Sequence, residues 1–307
     1  MTKVFIDGSA GTTGLRIADR LTGRKDLQII TLSEALRKDP AARKAAIWEA
    51  DIVFLCLPDD AAVEAVSLAQ GSNTRIIDTS TAHRTDPAWV YGFPELSGQM
   101  QKIANAQYVA NPGCHASGFV ALVAPLVEAG ILSQDTALSC FSLTGYSGGG
   151  KKMIAQYEDA NRDCLLDAPR QYALGQNHKH LPEMAKVCGL SHAPIFCPIV
   201  ADFYSGMEVT VPVFAKDLNI PFAELPDFYR NYYKSGLVNY SPDMDADGLA
   251  SAVALSGKDT MQITVQGNNE RILLVSRFDN LGKGASGAAI ENMNIMLGLD
   301  PATGLEI

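Results

Sequence analysis

Short apolar runs alternate with amphipathic stretches through the first part of the chain. Val4-Phe5-Ile6 predicts a strand, and Thr12 to Leu21 predicts a helix with Leu15, Ala18 and Leu21 on one face. Leu27 to Leu32 predicts a second strand, Ala41 to Trp48 a helix, and Asp51 to Leu57 a third strand. The third strand is apolar almost throughout, as expected when both sheet faces are covered. Ala61 to Ala69 predicts a helix and Arg75 to Asp78 a strand, so this part reads as a doubly wound parallel α/β sheet. Another strand, Ala106 to Ala110, precedes an Asn-Pro-Gly break and a helix from Phe119 to Glu128.

After that helix the rhythm changes. Thr136 to Leu143, Ile195 to Asp202, Met207 to Phe214, Met261 to Asn268 and Arg271 to Phe278 predict strands separated by long loops. This pattern suits an α+β domain with a mixed or antiparallel sheet and helices on one side. A helix over Ser286 to Leu297 closes the chain and is expected to return to the first domain. The expected division is residues 1–113 with 285–307 as a nucleotide domain, and 114–284 as a catalytic, substrate and oligomerisation domain.

Composition narrows the function classes. With 307 residues, 47% hydrophobic and 19% charged, the chain has material for one large core or two modest ones. A net charge of −9 argues against nucleic acid and anionic membranes as partners. Six cysteines, at 56, 114, 140, 164, 188 and 197, form no C-x-x-C pair and suit a reducing compartment. The first residues read as a strand rather than a signal peptide, and no apolar run approaches the roughly 20 residues that span a bilayer. A cytoplasmic protein is expected.

Gly8-Ser9-Ala10-Gly11-Thr12-Thr13-Gly14 follows the first predicted strand and opens the first predicted helix. Glycines there let the backbone approach a pyrophosphate, which the helix N-terminus attracts. The spacing G-x-x-G-x-x-G departs from the usual G-x-G-x-x-G, but its place between strand and helix predicts a Rossmann-like dinucleotide site. After the second strand, Glu34 leaves NAD open, whereas Ser33 with Arg37 or Lys38, and Arg43 nearby, suits a 2′-phosphate. NADP is the expected cofactor. Pro58 and Ser80 fall at strand C-terminal ends and are expected to line the same crevice.

Cys114 lies at the strand-to-helix turn Asn111-Pro112-Gly113-Cys114. A helix N-terminus lowers a thiol pKa and offers N–H donors to an oxyanion, which predicts a nucleophile. Acyl chemistry on sulfur needs a histidine to handle protons. Of His83, His115, His178, His180 and His192, the pair in Asn177-His178-Lys179-His180-Leu181-Pro182-Glu183 is expected to share a face if extended, with Glu183 orienting one ring. The pair lacks a third ligand at fixed spacing, so no metal is expected. His115 is discounted because adjacent helical residues diverge. Arg84 and Lys151 are candidate partners for substrate anions.

Asn111-Pro112-Gly113-Cys114, His178-x-His180-x-Pro182-Glu183 and Asn280-Leu281-Gly282-Lys283-Gly284-Ala285-Ser286-Gly287 together resemble the N-acetyl-γ-glutamyl-phosphate reductase family, of the shorter type. Tyr91-Gly92-Phe93-Pro94-Glu95-Leu96 and Ser147-Gly148-Gly149-Gly150-Lys151 extend the likeness, which covers nearly the whole chain. The family is related to aspartate-semialdehyde dehydrogenase and glyceraldehyde-3-phosphate dehydrogenase. The resemblance implies an arginine-biosynthesis enzyme with a Cys114 thioester, NADPH as reductant and protonated His178 as acid. His180 remains the alternative acid, and His180, Glu183, Arg84, Lys151, Asn111 and Ser147 become secondary or substrate residues. Asn280 and Gly284 are expected near the nicotinamide, and a homodimer or homotetramer is implied. A sibling enzyme acting on aspartate semialdehyde or N-acetyl-aminoadipyl phosphate would share this chemistry. A silent NADP-binding regulator would not need both Cys114 and the histidine pair.

Overall fold

In a computed structural model the chain is described over residues 1–307 except Ala10 and Ser235, and of Thr12 and Asp247 only the backbone is described. Met1–Pro112 with Ala285–Leu305 form one compact unit, and Gly113–Gly284 with Glu306–Ile307 form a second. The chain passes from the first to the second between Pro112 and Gly113 and returns between Gly284 and Ala285.

The first unit runs β1 (Thr2–Asp7), α1 (Thr12–Leu21), β2 (Leu27–Ile30), α2 (Pro40–Glu49), β3 (Ile52–Leu55), α3 (Asp59–Leu68), β4 (Arg75–Asp78), β5 (Val90–Tyr91), α4 (Gln99–Asn105) and β6 (Tyr108–Ala110). Its six strands form a wholly parallel sheet in the order β2-β1-β3-β4-β6-β5. Alternation along the strands sends Val4, Ile6, Phe54 and Ile77 into one core and Phe5, Val53, Leu55 and Ile76 into another. The first core is closed by α1, by α4 and by the last helix, Gly287–Met296, through Ala289, Ile290 and Met293. The second is closed by Ala46 and Ile47 of α2 and by Ala62 and Ala65 of α3. The Arg75 guanidinium donates to the carbonyls of Ile103, Ala104 and Met296, which lie in the last turns of α4 and the closing helix.

The second unit runs α5 (Cys114–Glu128), β7 (Ser139–Gly145), α6 (Gly150–Glu158), β8 (Arg170–Gln171), α7 (Leu181–Cys188), β9 (Ile195–Ala201), β10 (Met207–Phe214), α8 (Leu225–Tyr232), β11 (Val238–Tyr240), β12 (Met261–Gly267) and β13 (Arg271–Phe278). Its sheet is mixed, in the order β11-β12-β13-β10-β7-β9-β8. The pairs β7–β9 and β11–β12 are parallel and the remainder antiparallel. The observed folds match the expected α/β and α+β architectures.

Helix α5 begins five residues before the predicted Phe119. His115-Ala116-Ser117-Gly118 looks like a poor helix start, yet every residue from His115 to Leu126 is buried. Tertiary packing overrides propensity there. Gly118 marks the close approach to the sheet: a Cβ would lie 2.5 Å from Val209 Cγ2 and 2.8 Å from Ser276 Oγ. Strands β2 and β3 stop short of the predicted ends, because their last predicted residues turn outward into the loops that line a cleft.

Candidate active site

The first unit carries a cleft of about 820 Å³ at the C-terminal ends of β1, β2 and β3. Gly8 and Gly11 form its floor with Pro58, the cap residue of α3. Gly8 has φ +89°, and a side chain there would collide with the Cys56 carbonyl. A Cβ on Gly14 would lie 2.5 Å from the Gly8 carbonyl oxygen. The turn is therefore shaped by its glycines. Gly11 caps α1 with no side chain to occupy the first N–H groups, which suits a phosphate. These residues fit a dinucleotide; Ala10 and the Thr12 side chain lie outside the described residues.

Glu34, Arg37 and Lys38 line the far end of this cleft. Arg37 pairs with Glu34 at 2.9 Å, both partners well exposed. Ser33 is also exposed, and its carbonyl accepts from the Leu36 and Arg37 N–H groups. Arg43 differs from the two surface cations. It is buried, donates to Asp7 Oδ2 at 3.0 Å from Nε, and reaches Glu64 Oε2 at 2.6 Å. Burial holds the Asp7 carboxyl above its usual range, with Arg43 opposing. Arg43 thus braces β1, α2 and α3 and is already engaged by two carboxylates, which does not fit the free phosphate cation that the sequence suggested.

Ser80 and Arg84 sit in the loop after β4. The Ser80 hydroxyl donates to Asp78 Oδ2 at 2.7 Å, and His83 Nδ1 meets the same oxygen at 2.6 Å. Arg84 donates to the carbonyls of Asn111 (2.9 Å) and Thr79 (3.0 Å). It therefore grips the segment leading to Cys114. Asn111 is buried, donates to the Ala285 carbonyl at 3.1 Å and accepts from Asn292 at 3.1 Å, tying together the two chain segments of this unit.

In the second unit Cys114 is the first residue of α5, partly exposed, with Gly113 as cap. The Gly113 N–H donates to Glu183 Oε1 at 2.8 Å, so a buried carboxylate from the first turn of α7 anchors the start of the cysteine helix. That bond was not foreseen for Glu183. Gly284 abuts Cys114: a Cβ there would lie 3.0 Å from Cys114 Cβ. Any larger residue at 284 would press on the thiol's own carbon.

The histidine segment is not extended. His180 is the cap of α7 with helical φ −83° and ψ −11°, and the segment turns before it. The rings still converge, 4.7 Å apart and nearly perpendicular. Proline in the first turn of α7 favours this bend. The His180 N–H donates to His178 Nδ1 at 3.2 Å, which leaves the proton of the neutral His178 ring on Nε2. Gln176, with φ 55°, pins the loop by donating to the Phe196 carbonyl (2.7 Å) and accepting its N–H (2.8 Å).

His115, discounted from the sequence, joins the cluster. Its ring lies 5.7 Å from that of His178 and 5.5 Å from that of His180. Neither it nor Tyr172, whose hydroxyl lies 2.7 Å from His115 Nε2, was foreseen as part of the site. Their sequence separation hides the contact. Ser147 is buried and accepts from Asn280 Nδ2 at 3.0 Å, while Asn280 Oδ1 accepts from the Gly206 N–H at 2.9 Å. Asn280 therefore fixes the turn before Gly284 with both ends of its amide. Lys151 lies exposed in the first turn of α6. Among the described residues no group of three or more His, Cys, Asp or Glu is placed to hold a metal, and no helix is long and apolar enough to cross a membrane.

Residues 24–106 match the semialdehyde dehydrogenase NAD binding domain and residues 114–280 the semialdehyde dehydrogenase dimerisation domain. N-acetyl-gamma-glutamyl-phosphate reductase 2 of Nostoc sp. is 45% identical over 318 residues, covering 99% of each chain. N-acetyl-gamma-glutamyl-phosphate reductase of Brucella ovis is 47% identical over 306 residues, covering 96% of this chain and 99% of that one. Aspartate semialdehyde dehydrogenase II of Vibrio cholerae shares the fold, with a TM-score of 0.73 at 16% identity over 97% of this chain and 99% of that one. The chain belongs to the N-acetyl-γ-glutamyl-phosphate reductase family, within the semialdehyde dehydrogenases.

Proposed function

We propose that the protein reduces N-acetyl-L-glutamyl 5-phosphate to the 5-semialdehyde and phosphate, through a thioester on Cys114, as a step of arginine biosynthesis. The observation that carries the reading is Cys114 at the first turn of a helix, in the same unit as a hydrogen-bonded histidine cluster. The first unit is the dinucleotide domain and the second the catalytic domain.

The Cys114 sulfur attacks the acyl carbon, forming a C–S bond as the oxyanion develops. The first N–H groups of α5 stand where such charge is stabilised. Collapse breaks the C–O bond to phosphate and leaves the thioester. The bound dinucleotide supplies a hydride to that acyl carbon. His178 holds its Nε2 proton in a hydrogen bond to the thiohemiacetal oxygen as charge develops there, and collapse of that oxyanion re-forms the carbonyl, breaks the C–S bond and returns the Cys114 thiolate. Gly8, Ser9, Gly11 and Gly14 would hold the pyrophosphate, and Arg37 with Lys38 the 2′-phosphate of NADP. Replacing both cations by alanine should raise KM for NADPH by about 10–100-fold, the cost of one or two charge-assisted bonds, and leave KM for NADH little changed in steady-state assays.

Steady-state NADP⁺ reduction with N-acetylglutamate semialdehyde and phosphate, set against aspartate semialdehyde, tests the substrate. Preference for the acetylated five-carbon aldehyde is expected. Preference for aspartate semialdehyde would transfer the protein to the sibling activity.

The protein acts in the cytoplasm as a homo-oligomer, a homodimer or a homotetramer. All six cysteines are free, which suits that compartment. One face of the second sheet exposes Phe141, Ile195, Phe214 and Leu273, and the matched domain is described as a dimerisation domain. Phe141→Glu on that face is expected to shift sedimentation toward monomer; an unchanged sedimentation coefficient would place the interface elsewhere.

A further inference from the structure

The second unit holds a buried histidine that the proposed reaction does not use. His115 follows Cys114 on α5 and is 3% exposed. Its Nδ1 lies 2.6 Å from the hydroxyl of Ser142, a fully buried residue of β7. Its Nε2 lies 2.7 Å from the Tyr172 hydroxyl. With a hydroxyl on each nitrogen, one nitrogen donates and the other accepts, so the neutral ring satisfies both contacts. Its ring edge also packs against His178 and Phe196, at 5.7 and 5.3 Å between centroids.

Tyr172 and His178 bound one loop. Tyr172 is hung on β9 by its N–H to the Pro198 carbonyl, and Gln176 pins the middle to Phe196. Ala173 and Gln176 both adopt positive φ, at 51° and 55°, so the loop holds a conformation that non-glycine residues seldom take without surrounding support. His115 supplies such support from inside the unit.

We propose that His115 is a positioning residue for this reaction: a neutral bridge from Ser142 to Tyr172 that fixes the Tyr172 hydroxyl and the plane of the His178 ring. The proposal rests on the thioester reading. Burial, reinforced by His178, pushes the His115 pKa down to about 3, so the bridge carries no charge at working pH. Burial raises the Tyr172 pKa, and the nearby Cys114 sulfur raises it further, so the hydroxyl keeps its proton beside the nucleophile. His115 is therefore unsuited to acid–base work yet shares the fate of the residues that do it.

A double-variant cycle tests this. His115→Phe keeps a ring and removes both hydrogen bonds; Tyr172→Phe removes one bond from the other end. Each is expected to lower kcat at least about 10-fold with KM for both substrates within about 3-fold, and the double variant to be no worse than the weaker single. A kcat within about twofold of wild type in either single, or losses that multiply in the double, would overturn the proposal. If His115→Phe does not fold, Ser142→Ala and Tyr172→Phe form the cycle, judged by the same outcomes. Failure of the thioester reading is separately visible, because wild type would then turn over semialdehyde without phosphate.

Discussion

Cys114→Ala should abolish reduction, by at least about 10⁴-fold, while NADPH still binds. The expectation follows from where the sulfur sits. It is the first residue of α5, where aligned peptide dipoles favour the thiolate, and Gly284 leaves its Cβ just enough room. Removing a partly exposed sulfur creates no large core cavity, so the fold should survive. The described lining of the cleft proposed for the dinucleotide belongs to the first unit, with Gly8, Pro58 and Lys38 among it, so titration of NADPH fluorescence should give a dissociation constant within about twofold of wild type. Cys114→Ser should be nearly as inactive, since a hydroxyl lacks the thiol's accessible anion. Retained turnover in either variant would exclude the covalent route.

His178→Ala should lower kcat by about 10²–10⁴-fold, the usual range for a positioned proton carrier. His180→Ala should cost far less. The bond that holds His178 comes from the backbone N–H of residue 180, at 3.2 Å to Nδ1, and alanine keeps that N–H. What His180→Ala removes is a perpendicular ring 4.7 Å away, a packing and orienting contact. Rapid-quench or stopped-flow single turnovers separate the two, with the slower hydride step expected in His178→Ala. The reverse order would make His180 the acid.

The parts of the site that were legible in the sequence are local. A glycine turn between strand and helix, and a cysteine after Asn-Pro-Gly, carry their meaning in adjacent residues. The closing helix was legible for a similar reason: it begins at a glycine-rich entrance and is apolar. Contacts made at long sequence distance were not legible. Arg43 lies 36 residues from Asp7, and only the sheet brings them together, turning an apparent phosphate cation into an internal brace. Glu183 is 70 residues from Gly113, and its carboxylate anchors the cysteine helix. His115 and Tyr172 are 57 residues apart and meet because β8 pairs with β9. Even the His178–His180 pair converged for a reason other than strand alternation, since a helix cap sets it.

The family likeness suits this division. Local motifs identify the chemistry, whereas the burial of His115, Glu183 and Asn280 shows how it is held in place. Asn280 illustrates the difference. Its amide bridges Gly206 and Ser147, so it acts by fixing the turn that ends at Gly284.

The most direct test is to mix the protein with NADP⁺ and N-acetylglutamate semialdehyde in the absence of phosphate, and to follow NADPH by absorbance. A thioester on Cys114 predicts a burst of about one NADPH per site and then a stall, with steady turnover resuming when phosphate or arsenate is added. Continuous NADPH formation without either acceptor, or a burst that persists in Cys114→Ala, would contradict it.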